Sequence, residues 1–109
     1  MYTDGQIYMG LADGQRVNMQ LNMSNRHGLI AGASGTGKTI TMKAMAESFS
    51  DAGVPVFLCD VKGDVSGIAT AGVASESMDK RIDKFGIRGS FSYKAYPVCF
   101  WAVSYTHLR

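Results

Sequence analysis

The sequence predicts an α/β fold: a parallel βαβ unit that is part of a larger sheet, preceded by an N-terminal β-hairpin. Three observations predict it. An apolar run enters a glycine cluster over residues 27–37, a helical periodicity follows from Lys38 to Ala52, and a second apolar run spans Val54 to Cys59. Strand, glycine loop, helix and strand in this order imply two parallel strands joined by a right-handed crossover. The 109 residues amount to about one small domain and are few for a complete sheet of this kind, so the fold is expected to be truncated.

The hairpin is read from two short runs, Gln6 to Met9 and Arg16 to Leu21, with Ala12-Asp13-Gly14-Gln15 between them. An Asp-Gly pair between extended runs is a strong hairpin signal. Val17, Met19 and Leu21 alternate with Asn18 and Gln20, which predicts one covered and one wet face. Residues 1–26 are therefore expected to form a hairpin or small sheet, and residues 27–103 the partial α/β domain.

The second unit starts with His27-Gly28-Leu29-Ile30-Ala31, a short strand entering Gly32-Ala33-Ser34-Gly35-Thr36-Gly37. Met42, Met45, Ala46 and Phe49 then recur at spacings of three and four, as on the buried stripe of a helix. Gly53 stops that helix and Pro55 prevents its continuation. Val54 to Cys59 is too short for a helix and continuously apolar, which predicts a strand covered on both faces and ending at Asp60. Ser75 is placed to cap a short helix in which Met78, Ile82 and Phe85 share a face and Gly86 terminates. Its other side carries Asp79, Lys80, Arg81, Asp83 and Lys84, whose mixed signs describe a solvated face. Tyr96 to Val103 fits a third strand, with Pro97 favouring an edge or first position.

Bulk properties exclude several classes. A 46% hydrophobic, 18% charged composition is that of a globular chain, and a formal charge of +2 is too weak to argue for nucleic acid by itself. No stretch reaches the eighteen or so apolar residues of a membrane span, and no basic-then-apolar leader opens the chain, so a cytoplasmic protein is expected. Cys59 and Cys99 lie far apart in apolar runs and read as reduced, buried, small hydrophobes. His27 stands alone, which suits a structural role better than a catalytic one.

The chemistry concentrates in Gly32-x-x-x-x-Gly37-Lys38-Thr39, which meets the Walker A (P-loop) pattern in the required context of strand before and helix after. By average residue usage, these four fixed positions arise by accident in a chain this long in well under roughly 1% of cases. Gly35 and Gly37 allow the positive φ values that turn backbone N–H groups around a phosphate. The helix opened by Lys38 and Thr39 adds unsatisfied amides and its positive dipole end. Lys38 is expected to reach the β and γ phosphates of ATP, and Thr39 to ligate Mg2+. The expected nucleotide-binding set is Gly32, Ser34, Gly35, Thr36, Gly37, Lys38, Thr39 and Ile40. A dinucleotide-type G-x-G-x-x-G reading is weaker, because Lys38-Thr39 would then have no task. Asp60, at the tip of its strand, is a candidate for the magnesium or nucleotide vicinity, and equally a cap for the following turn with Lys62 neutralising it. No residue is assigned as catalytic.

Asn25 to Thr39, Ser48 to Gly53, Val54 to Asp64 and Tyr96 to Trp101 together resemble the HerA-like branch of the FtsK-HerA ATPases, over residues 1 to about 103. The resemblance implies an N-terminal piece of a protein that, when complete, is a homo-hexameric motor coupling ATP hydrolysis to movement along double-stranded DNA. It implies a Walker B strand ending in Asp-Glu, a sensor and an arginine finger, none of which is found in these residues. Ser104 to Arg109 departs from the family pattern and reads as a non-native tail. Two other classes remain open: a regulatory or secretion-type ATPase that binds no DNA, and a truncated reading frame without function.

Overall fold

The computed structural model describes residues 1–35, 37–60, 66–84 and 93–101. Its sheet has three antiparallel strands in the order β1-β2-β3: β1 (Tyr2–Thr3), β2 (Gln6–Ala12) and β3 (Gln15–Gln20). The expected hairpin is β2 and β3, with Ala12 opposite Gln15 and Asp13-Gly14 as the two-residue turn. Asp13 (φ 51°) and Gly14 (φ 74°) both take left-handed backbone, and Asp4 (φ 48°) and Gly5 (φ 78°) repeat the pattern between β1 and β2. Two positive φ values in a row give the turn whose twist matches that of the paired strands. The Leu21 N–H continues the pairing onto the Gly5 carbonyl at 2.8 Å, and a 3₁₀ turn, Leu21–Met23, ends the unit.

Ile7 and Tyr8 are consecutive and both buried, so β2 is covered on both faces at its start. Removing Ile7 from water contributes about 1.5–3 kcal/mol. Tyr8 forms a small core with Ile82, against which Met1 and Tyr93 pack. Met9 is an extra residue on β2, since Tyr8 pairs with Asn18 and Gly10 with Val17. The alternation expected of β3 is only partly realised: Met19 and Leu21 are half-buried, but Val17 is exposed.

Two helices follow, α1 (Lys38–Asp51) and α2 (Glu76–Lys84), with a 3₁₀ turn at Ser66–Ala69 between them. α1 packs on β1 and β2. It stops at Gly53 (φ 83°), as expected: the Val54 N–H reaches the Phe49 carbonyl at 2.9 Å and the Gly53 N–H the Ser50 carbonyl at 3.0 Å. That crossed pair satisfies carbonyls which a helix end leaves orphaned, and it needs a left-handed residue at Gly53. α2 begins where Ser75 accepts a hydrogen bond from the Met78 N–H at 3.2 Å, with Glu76 and Asp79 in its first turn and Arg81 and Lys84 in its last. The charges complement the helix dipole. Phe85 and Gly86, expected to complete this helix, lie outside the described residues.

The parallel βαβ unit is the main correction. Among the described residues, the apolar runs at 28–33, 54–60 and 96–101 carry no ladder, and the sheet is wholly antiparallel. Phe57 is 80% exposed, where a strand covered on both faces was expected, and Leu29, in the run expected to form the strand before the glycine loop, is 89% exposed. A parallel strand is stable only when helices and neighbouring strands bury it on both sides, and these runs have no such cover among the described residues. The same cause reaches α1: Met42, Met45 and Phe49 are only half-buried, and the buried side chains are Ala46 and Ser48. Cys59 and Cys99 are likewise free and exposed, not buried. The last residues, 102–109, and with them the expected tail, lie outside the described residues.

Candidate functional site

The glycine loop is shaped by two left-handed residues, Gly35 (φ 77°) and Gly37 (φ 97°). A Cβ at either would meet nothing within 4 Å, so backbone conformation and not space selects glycine at both positions. Gly37 is also the N-cap of α1, and it supplies no side chain to the first helical amides. Its carbonyl accepts the Thr41 N–H at 3.0 Å and the Thr41 hydroxyl at 3.1 Å. The first turn of α1 contains no acidic residue. A helix start with neither a side-chain cap nor a carboxylate leaves its positive end open to an anion.

Lys38 folds back over this loop. Its ammonium donates to the Gly32 carbonyl at 2.6 Å and to the Ala33 carbonyl at 2.8 Å. One side chain thus joins the first residues of the motif to the helix that follows it, and the loop is closed into a ring with a cation on it. Of the expected set, Gly32, Gly37 and Lys38 are brought together in this way. Ser34 and Gly35 form the exposed turn at its crest, Thr39 is half-buried on the first turn of α1, and Thr36 lies outside the described residues. Ile40 instead lines a cleft with other residues of α1, such as Thr41 and Ala44. Asp60 is exposed at the end of its apolar run, and residues 61–65, with Lys62, lie outside the described residues. His27 is exposed. Ala33 was not foreseen, and no signal in the sequence marks it, because any residue provides a carbonyl.

A cleft of about 830 Å³ lies between the hairpin, α1, α2 and residues 93–96, and none of the described residues of the glycine loop lines it. At its edge Glu47 is pushed above the ordinary carboxylate range, first by burial and then by Asp51, against the pull of the Met1 amine, Lys43 and Lys94. Tyr96 is pushed up by burial, by Asp51 and Glu47, and by the hydrogen bond its hydroxyl donates to Asp51. Among the described residues, no cluster of three His, Cys, Asp or Glu side chains is arranged to hold a metal ion.

The family described as "Helicase HerA-like C-terminal" matches residues 7–107. The chain belongs to this HerA-like family. The match spans the hairpin, the glycine loop and both helices in one stretch. Its description names the C-terminal part of HerA-like helicases, where an N-terminal piece was expected. No curated protein and no solved structure gives a significant match. No helix among the described residues of this HerA-like chain is long and apolar enough to cross a membrane.

Proposed function

We propose that this HerA-like chain binds ATP with Mg2+ at Gly32–Thr39, as the nucleotide-holding part of an ATPase that moves along double-stranded DNA as a homo-hexamer when complete. The observation that carries the reading is the ring closed by Lys38 on the Gly32 and Ala33 carbonyls, directly before an uncapped helix start. The residues fit the group. Loop and helix amides hold the phosphates, and Lys38 exchanges its two carbonyl partners for phosphate oxygens. The Thr39 hydroxyl stands one residue further, where it serves a magnesium ion. Magnesium, when bound, neutralises charge on the β and γ phosphate oxygens. Asp60 is proposed for the vicinity of the same ion.

Titration calorimetry with Mg-ATP tests the reading. Wild type is expected to give a saturable heat that Lys38→Ala abolishes, and identical heats for the two would remove the proposal. The near-neutral charge, +2 over the whole chain, is compatible with a second reading: a regulatory or secretion-type ATPase that binds no DNA. Duplex DNA separates the two, because a translocase's hydrolysis is stimulated by DNA and the stimulation falls steeply with salt.

A further inference from the structure

The apolar anchoring of α1 is thin. Ala46 is its one buried apolar side chain among the described residues, and a helix of 14 residues is marginal without tertiary support. Polar tethers on one side of the helix make up the difference. Ser48 accepts a hydrogen bond from the Met1 amine, and Asp51, the last residue of α1, takes an ion pair from Lys94 and a hydrogen bond from the Tyr96 hydroxyl at 3.2 Å. A carboxylate at a helix C-terminus faces the negative end of the dipole, so Asp51 is tolerable there because Lys94 meets it. The Lys94 ammonium also lies 4.9 Å from the Tyr96 ring centroid, and the Asp51 side chain is only 25% exposed.

The segment that grips Asp51 is itself held on three sides. The Tyr96 N–H donates to the Ile68 carbonyl at 3.0 Å, and Tyr93 packs against the Tyr8–Ile82 core. Tyr93 also occupies the space over Gly72, where a Cβ would come within 3.0 Å of its ring. Residues 93–96 therefore cross from the core to the far end of α1. The near end of that helix carries Gly37, Lys38 and Thr39. At about 1.5 Å per residue the two ends are roughly 20 Å apart on one rod.

We infer that residues 93–96 are a strap that positions the glycine loop from the opposite end of its helix, with Asp51 as the positioning residue. Releasing Asp51 frees the last turns of α1, and a helix so lightly packed loosens along its length, first turn included. The inference bears on the nucleotide reading above, but its first test needs no nucleotide.

That test is hydrogen exchange on the whole chain without ligand, read at the Thr41, Met42 and Lys43 amides. Asp51→Asn and Lys94→Gln are expected to speed exchange there roughly three- to tenfold. Tyr96→Phe, which removes one hydroxyl and no packing, gives about twofold, and Asp51→Lys with Lys94→Asp recovers most of the protection. Unchanged exchange at Thr41 to Lys43 in both charge variants, with faster exchange confined to 93–96, would overturn the strap. Mg-ATP titration is the second readout: Asp51→Asn weakens affinity by a similar factor and the charge swap restores it, and an unaltered affinity overturns the positioning role. Wild type that binds no Mg-ATP defeats the nucleotide reading instead, and the exchange result still decides the strap.

Discussion

Gly37 has a backbone angle that only glycine holds cheaply, φ 97°, and it stands at the join of loop and helix. Gly37→Ala forces a side chain into left-handed backbone, so a loss of about 1–2 kcal/mol is expected in urea unfolding, together with weaker Mg-ATP binding. Glu47 provides a pH-dependent prediction. Burial raises its pKa in the folded state, so the folded chain holds that proton more tightly than the unfolded one. Its contribution is fully present below the ordinary glutamate range and is lost as pH rises through the raised value. Glu47→Gln is expected to stabilise the protein above that window and to flatten the pH dependence of its melting temperature across it. An unaltered pH profile would show that Glu47 is solvated as in water. Cys59 and Cys99 were legible as free thiols but not as exposed ones, because the apolar runs that contain them suggest a cover that the fold does not supply. Both are expected to react with a thiol reagent without denaturant.

At the scale of elements, the parts that depend on local chemistry were the legible ones. The Asp13-Gly14 turn, the stop at Gly53 and the cap at Ser75 each follow from two or three adjacent residues, and each stands where the pattern put it. β1 was missed although Asp4-Gly5 carries the same turn signal as Asp13-Gly14, because two residues are too short a strand to show a period. Gly53→Ala is expected to cost about 1 kcal/mol, since φ 83° disfavours a side chain and the crossed hydrogen bonds depend on that angle. Ser75→Ala should cost about 1 kcal/mol through the lost cap. Helicity measured by circular dichroism during urea unfolding checks both, and an unchanged midpoint in either variant would show that its helix end is held by something else. Runs such as Val54 to Cys59 were not legible to the same degree. Their state depends on distant partners, and an apolar run reads the same whether those partners are present or not.

Over the whole molecule, an antiparallel hairpin sheet and two helices enclose a small core at Tyr8 and Ile82, and the glycine loop rides on the start of α1 outside it. The loop's left-handed glycines and the helix start behind them were legible because they are neighbours in the chain, which a linear pattern records. Such a pattern did not reveal the strap, because Asp51, Lys94 and Tyr96 meet only through the fold. Family membership was legible for the related reason that the match runs through both kinds of segment, over residues 7–107. The most direct test of the account is a titration of labelled protein with Mg-ATP, following backbone amide resonances. The account predicts the largest shifts at Gly35, Gly37, Lys38 and Thr39, and their disappearance in Lys38→Ala. Shifts confined to the cleft between α1 and α2, or none at all at saturating Mg-ATP, would contradict it.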